Sequence, residues 1–392
     1  MNTRSRWQWR GSIALAGVAL GFVIYPLIEG NNDVINSDWP AFATGAKLIV
    51  QDPGHLYDFD VQRRTQLDVT GGRTLVGLGI HGILPFLAPA WVAFFAVPFE
   101  ALGTDLGGRL WILFGLACLA LGLLLAVRPR PPTAILPAFA SVPTALLLLN
   151  AQLDGLVALG IGSAIALLSL PPSGGRVGVR VVHQRNRFLA GVCLGLTLVK
   201  PQLVLPVGAA LILTREWHIL AGWASAGVVM FAGAAAVYPR WVFDWWHVLG
   251  TTVQVGAREV NLGHLGTILP GAYVGYGVAV LSLLALIGVL FLARRIKGDL
   301  RAAAAVLVAG GVLVSPHALP ADLVLVTLAL AIWGKATWVE WLVLSVGAII
   351  AAVVPAPVPT VVGVLLVAWL CLRVAGLSAW RWPRGQAPAS AG

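Results

Sequence analysis

The sequence predicts an all-α polytopic membrane protein, on three observations. Of 392 residues, 58% are hydrophobic and 11% are charged, whereas soluble domains carry roughly a quarter charged residues. So few ionic groups cannot cover a water-soluble fold, and lipid must be the solvent for most of the chain. Long apolar windows recur from end to end, and basic residues gather at their ends. The net charge of +10 therefore reads as membrane orientation and not as affinity for nucleic acid.

Taken in order, Arg4, Arg6 and Arg10 precede a first apolar run at 11–28. No small-residue cleavage site follows it, so the run is expected to remain as a first span. Further windows lie at 86–102, 109–127, 133–149, 154–170, 188–199, 201–214, 218–237, 267–292, 302–315, 319–333, 338–354 and 358–374. At about 1.5 Å of rise per residue, and with Pro breaking several windows, they predict about 11 to 13 crossings. The whole chain, 1–392, reads as one integral membrane domain with a cytoplasmic tail over about 375–392. Cys118, Cys193 and Cys371 all sit in apolar stretches at unrelated spacings, as small core residues and not as a disulfide or metal framework.

Two connections are long and polar. The first, about 29–85, carries Asp33, Asp38, Lys47, Asp52, His55, Asp58, Asp60, Arg63, Arg64, Asp68, Arg73 and His81. The second, about 238–266, is rich in Trp and carries Arg240, Asp244, His247, Arg258, Glu259, Asn261 and His264. A basic N-terminus inside places the first loop outside. Counting back from Arg294, Arg295 and Lys297 places 238–266 and the turn Ser315–Pro320 on the same face, near Asn150–Asp154 and Lys200. The basic linker 171–187, with Arg176, Arg180, Arg185 and Arg187, falls inside, as do Arg373, Arg381 and Arg384. One conflict stands: two crossings between 86 and 127 leave Arg128 and Arg130 outside. Either one segment half-crosses or the charge rule fails there.

Candidate chemistry lies on that outer face. Asp38 stands at the mouth of the bundle, before a segment whose Phe42, Ala46 and Ile49 share a helical face suited to lying on the membrane surface. Its carboxylate reads either as a base for a hydroxyl or as a helix cap beside Ser37. Lys200 interrupts an apolar run; its ammonium reads as a phosphate partner or as a snorkelling helix end. His317, between Pro316 and Pro320, reads as a proton donor or acceptor-binding group. Asp322 either joins it or caps the next helix. Asn150, Gln152 and Asp154 can bridge helices or line a cavity. Trp241, Trp245 and Trp246 read as membrane anchors ahead of sugar platforms. No P-loop, dinucleotide fingerprint, zincin signature or nucleophile elbow is present.

In order along the chain, these positions resemble glycosyltransferase family 87, which includes a polyprenol-phosphate-mannose-dependent mannosyltransferase. Asp38, Phe42, Gly54 and Leu56-Tyr57 match its early Asp, aromatic, Gly and Leu-Tyr. Ala88-Pro89-Ala90 with Pro98 stand where it has aromatic-Pro-Pro and a later Pro. Ala151-Gln152-Leu153-Asp154 match a Gly-Gln-x-Asn element, Leu194-Gly195-Leu196 with Lys200-Pro201-Gln202 match Leu-Gly-Leu and Lys-Pro, and Ser315-Pro316-His317 with Asp322 match Ser-Pro-His and a trailing Asp. The resemblance covers about residues 10–335; Ala151, Asp154 and the surroundings of Pro89 depart from it and bear on the acceptor pocket.

The resemblance implies a C-type glycosyltransferase helical bundle, with a long outer first loop carrying amphipathic surface helices. It implies a polyprenyl-phosphate hexose donor, mannose in the named relative, and inverting transfer to a lipid or glycan acceptor with Asp38 as general base. On this reading His317 assists, Lys200 and Arg258 face the donor phosphate, and Gln152, Asp154, Gln202, His264, Asp322 and Tyr57 bind substrate. No cofactor is expected and no divalent metal is required, although Asp33 and Asp38 are placed to bind one. The expected setting is the inner (plasma) membrane, with the site on the periplasmic side. A lipid or sugar transporter or flippase is the rival class, and an assembly subunit without chemistry is a third.

Overall fold

The computed structural model describes residues 3–73, 83–170, 176–251, 258–296 and 298–377. His81, Lys297, Arg381 and Arg384 lie outside the described residues. The protein is 80% helical with no strands among the described residues, and is an all-α polytopic membrane protein. Among these residues, four helices are long and apolar enough to cross a membrane, or five if one bent pair is a single span.

The first long helix is α1 (Thr3–Ile28), whose apolar part begins at Arg10. A short α2 (Asn31–Ile35) leads to α3 (Trp39–Gln51) and α4 (Phe59–Val69). The sequence expects α3 to lie on the membrane surface. Instead it is buried from Trp39 through Ile49 except at Lys47, because α4 and the chain at 84–86 cover it. Gln62 and Gln66 of α4 attach that cover: Phe86 N donates to Gln62 Oε1 at 2.8 Å and Leu84 N to Gln66 Oε1 at 3.0 Å. Residues four apart on a helix and two apart in extended chain both advance about 6 Å, so the two registers match. The solvated face of α4 carries Asp60, Arg63, Arg64 and Asp68.

α5 (Ala90–Glu100) has 11 residues with Pro98 inside. At 1.5 Å per residue it spans about 16 Å, half of a bilayer core of about 30 Å. It packs against α3 and α6 (Thr104–Val127), so α6 makes the single crossing in this region. Arg128 and Arg130 then fall at the end of the bundle opposite Asp38. At 11 residues α5 is too short for a full crossing, and a half-crossing there agrees with the charge pattern.

α7 (Leu136–Phe139), with the turn before it, and α8 (Val142–Leu149) form the bent pair, at 69°. They return the chain to the Asp38 end, where α9 (Asp154–Leu168) starts. α9 runs in the same direction as α6, with Gly155 on Gly115 and Gly162 on Gly122. A methyl group on Gly155 would overlap the Gly115 carbonyl, so two glycine pairs set the close approach of these helices. α10 (Arg176–Leu194), α11 (Leu205–Leu213) and α12 (Trp217–Val237) follow, then α13 (Trp241–Thr251). α14 (Val274–Arg295) and α15 (Leu300–Val314) come next, and α16 (Val324–Trp333), α17 (Trp338–Val353) and α18 (Val358–Val374) complete the bundle.

Only 6%, 17% and 11% of the apolar windows of α1, α12 and α14 are buried in protein, against 56% for α6. The first three therefore present their apolar surface to lipid. α15 and α16 form the centre; every residue from Ala321 to Ile332 is buried.

Most of the remaining apolar helices are shorter than their sequence windows, at 10–17 residues. At the opposite end, Arg301 donates to Ala126 O at 2.9 Å and Arg130 to the Ala331 carbonyl. Lys335 pairs with Asp299 at 2.6 Å there, and Arg373 with Glu340 at 2.9 Å. One end of the bundle thus gathers cations and the other gathers the candidate residues.

Candidate active site

The site is built from turns that end helices. In the first, Ser37 Oγ accepts from Trp39 N at 3.2 Å and donates to Val34 O at 2.6 Å. Ser37 thus supplies the local turn bonding, and the Asp38 side chain makes no capping hydrogen bond. Asp38 Oδ2 instead accepts from Gln152 Nε2, while Asp38 N donates to Asn150 O at 3.1 Å. The half-buried carboxylate is thereby tied to the turn before α9, and among the described residues its Oδ1 takes no hydrogen bond. That turn needs Ala151 at φ 50°, a left-handed conformation suited to glycine, and the resembling element has Gly at this place.

Two buried carboxylates enclose Lys200. Its Nζ donates to Asp154 Oδ2 at 2.9 Å and to Asp322 Oδ1 at 2.6 Å. Asp154 and Asp322 are buried, and the Lys200 side chain is 17% exposed. Asp322 Oδ2 also accepts from Leu319 N at 2.6 Å, so one carboxylate serves as both cap and ion-pair partner. Two close approaches bring the three together: Gly155 on α6 places Asp154, and Gly311 of α15, which touches the Leu203 carbonyl, places the turn after Lys200. Lys200 does not snorkel. Its ammonium is held inside the protein by the two carboxylates.

The third part is a dyad. His317 Nδ1 bonds Glu259 Oε1, and Glu259 is 4% exposed. Glu259 Oε2 accepts from Ala318 N at 2.7 Å and from Asn261 Nδ2 at 2.6 Å. The Glu259 carbonyl accepts from Thr360 Oγ1 at 2.8 Å, and Val260 N donates to Ala318 O at 2.8 Å. His264 is held through its main chain, donating to Asn261 Oδ1 at 2.7 Å. The His317 side chain remains 52% exposed.

The three parts act on one another electrostatically. Burial pushes the Asp38 carboxyl up to about 6; Lys200 and His317 pull it down and Asp322 pushes it up. For His317, crowding by protein lowers the imidazole, but the Glu259 hydrogen bond and the charges of Glu259 and Asp322 outweigh it and the net shift is upward. His264 moves down, first through burial, with the His317 charge adding to it and Glu259 opposing.

Other expected residues make their contacts outside these three parts. The Arg258 side chain is exposed and caps the end of α17 through the Ala352 carbonyl at 2.5 Å. Tyr57 is buried, donates to Ala88 O at 2.9 Å and stacks near Phe86 and Tyr238, as part of the packing of the first loop. Gln202 is half-buried in the turn Pro201–Val204 and makes no hydrogen bond to the cluster. Asp33 accepts from Gly30 N at 3.1 Å and is exposed. Among the described residues no group of three His, Cys, Asp or Glu side chains is placed to hold a metal ion.

The family model of glycosyltransferase family 87 matches residues 86–316. The chain belongs to glycosyltransferase family 87. No curated protein and no solved structure matches it. As a family 87 protein it is a membrane glycosyltransferase. The matched segment contains Gln152, Asp154, Lys200, Glu259 and His264; Asp38 lies before it, and His317 and Asp322 lie just after it. The Gln152 bond is what connects Asp38 to the family segment. The sequence reading did not assign Glu259 or Asn261: 58 residues separate Glu259 from His317, and no local spacing announces the pair. The available signal was an acid with Asn two residues on, in a connection that also carries Asp244 and several Trp.

Proposed function

We propose that this family 87 protein transfers a hexose, mannose in the first instance, from a polyprenyl-phosphate donor to a lipid or glycan acceptor, with inversion and with Asp38 as general base. The reading rests on one observation: a half-buried carboxylate, spared from capping and aimed by Gln152, shares a cluster with a Glu-backed His. Asp38 Oδ1 takes the proton of the acceptor hydroxyl as its oxygen bonds the anomeric carbon. The bond from that carbon to the phosphate oxygen breaks, and polyprenyl phosphate departs with the electron pair. His317 stabilises the charge that develops on the phosphate. Gln152, Asp154, His264 and Asp322 shape the sugar and acceptor sites around this centre, and no cofactor enters the scheme.

The site end lies opposite Arg128, Arg130, Arg301 and Lys335. By the charge rule it faces the periplasmic side of the inner (plasma) membrane, where a lipid-borne donor and a lipid acceptor can both arrive laterally.

The test is transfer from radiolabelled polyprenyl-phosphate mannose to extracted membrane lipids, with the protein in nanodiscs. Asp38→Asn is expected to lower the rate by about 10²–10⁴, the usual worth of a general base. Full transfer by Asp38→Asn overturns the assignment. Movement of labelled lipid across proteoliposomes with no covalent product would favour a transporter.

A further inference from the structure

Lys200 is enclosed by two carboxylates, whereas the His317 side chain is half open. We infer that Glu259 is a positioning residue that holds His317 as an imidazolium with Nε2–H left for the substrates. What Nε2–H meets depends on the lipid-linked-sugar reading above; the dyad itself does not.

The geometry leaves Glu259 little freedom. Every oxygen it owns is engaged: Oε1 by His317, Oε2 by Asn261 and Ala318, and the main-chain oxygen by Thr360. The carboxylate is 4% exposed, and a carboxylate so enclosed is best matched by a positive partner; the ring nitrogen on Oε1 is the group beside it. Because Nδ1 is spent on Glu259, Nε2 on the other edge of the ring is what remains for a ligand, and half of the side chain is open. Lys200 has the opposite arrangement: an enclosed head between two acids.

The charged and titratable groups facing His317 come from four elements. Glu259 and His264 approach from the segment before α14, Asp322 from the start of α16, Lys200 from the turn before α11, and Asp38 from the turn before α3. Asp322 favours the cation and Lys200 opposes it. Glu259, the one in direct contact, is therefore the group whose removal shifts the balance.

Glu259→Gln keeps shape and hydrogen-bonding capacity while deleting the charge. Two readouts are made on the full-length protein: the ¹⁵N NMR titration of His317, assigned with His317→Gln, and the pH profile of transfer. In the wild type His317 is expected to titrate above about 6.5, the ordinary histidine value. In Glu259→Gln it moves down by at least about one unit, and the alkaline limb of kcat moves with it, so the rate falls about tenfold at pH 8 and little at pH 6. Asn261→Ser, which removes one donor to Oε2 and leaves Glu259 in place, gives a smaller shift in the same direction and serves if Glu259→Gln does not fold.

An unchanged His317 titration in these variants, with activity lowered equally at every pH, overturns the inference and leaves Glu259 as a clamp between the segment before α14 and the Ser315–Pro320 turn. A shifted titration with an unmoved alkaline limb upholds the dyad and overturns its part in transfer. If the wild-type protein transfers no sugar, the NMR titration still decides the dyad, so failure of the reaction reading is told apart from failure of the positioning role.

Discussion

Replacing Lys200 with methionine removes the cation from between carboxylates whose side chains are 0% and 3% exposed, and keeps most of the apolar stem. Breaking a buried ion pair from one side costs about 3–5 kcal/mol, because the partner is left charged and unsolvated. Two partners are stranded here, but Asp322 keeps its bond from Leu319 N, and the Lys200 side chain is 17% exposed, so water can reach the vacated space along its stem. The expected loss is therefore near the lower figure, about 3 kcal/mol. Thermal unfolding in detergent, followed by tryptophan fluorescence, measures it as a lowered midpoint. The triple variant Lys200→Met, Asp154→Asn, Asp322→Asn has no stranded charge and should recover most of the loss. If Lys200→Met unfolds like the wild type, the ion triad contributes nothing and the reasoning fails. A second result bears on function. If the two carboxylates are the only partners Lys200 serves, donor KM in Lys200→Met alone should change by less than about threefold. A rise of tenfold or more, worth about 1.4 kcal/mol, would return Lys200 to the phosphate.

Two further outcomes are expected. Asp38 works as a base only when ionised; its carboxyl lies at about 6, so transfer should fall as pH drops through that value, and Gln152→Glu, which sets a second carboxylate against it, should move this acid limb to higher pH. Gly155→Val drives a branched side chain into the Gly115 carbonyl, and should lower both the unfolding midpoint and the yield of monodisperse protein, while Gly233→Val, where a Cβ meets nothing within 4 Å, should lower neither.

The membrane class was legible because it depends on bulk solvation, which composition reports directly. Convergence of Asp38, Gln152, Asp154, Lys200, Asp322 and His317 was legible for a related reason: alternating crossings bring every second connection to one face, and polar residues are costly unless they meet there. The same reasoning failed for α3. Its apolar stripe is real, but the sequence does not say whether lipid or protein covers such a stripe. The cover comes from Gln62 and Gln66 binding the chain at 84–86, a pairing between residues that have no common pattern. The pattern of Arg128 and Arg130 did carry information. It was inconsistent with two crossings, and α5, at 11 residues, is too short for the full crossing that the hydropathy window had counted.

Roles were less legible than places. A charged residue at membrane depth announces that it has a partner, not which partner. Lys200 looked like a phosphate ligand because its run is apolar for a dozen positions, yet its partners are Asp154 and Asp322, 46 and 122 residues away. Glu259 drew no attention because its loop is full of Trp and its partner lies 58 residues on. Charge balance links the two places in the proposal: with two acids on the lysine, the half-exposed imidazole beside a fully hydrogen-bonded carboxylate is the group proposed to meet the phosphate.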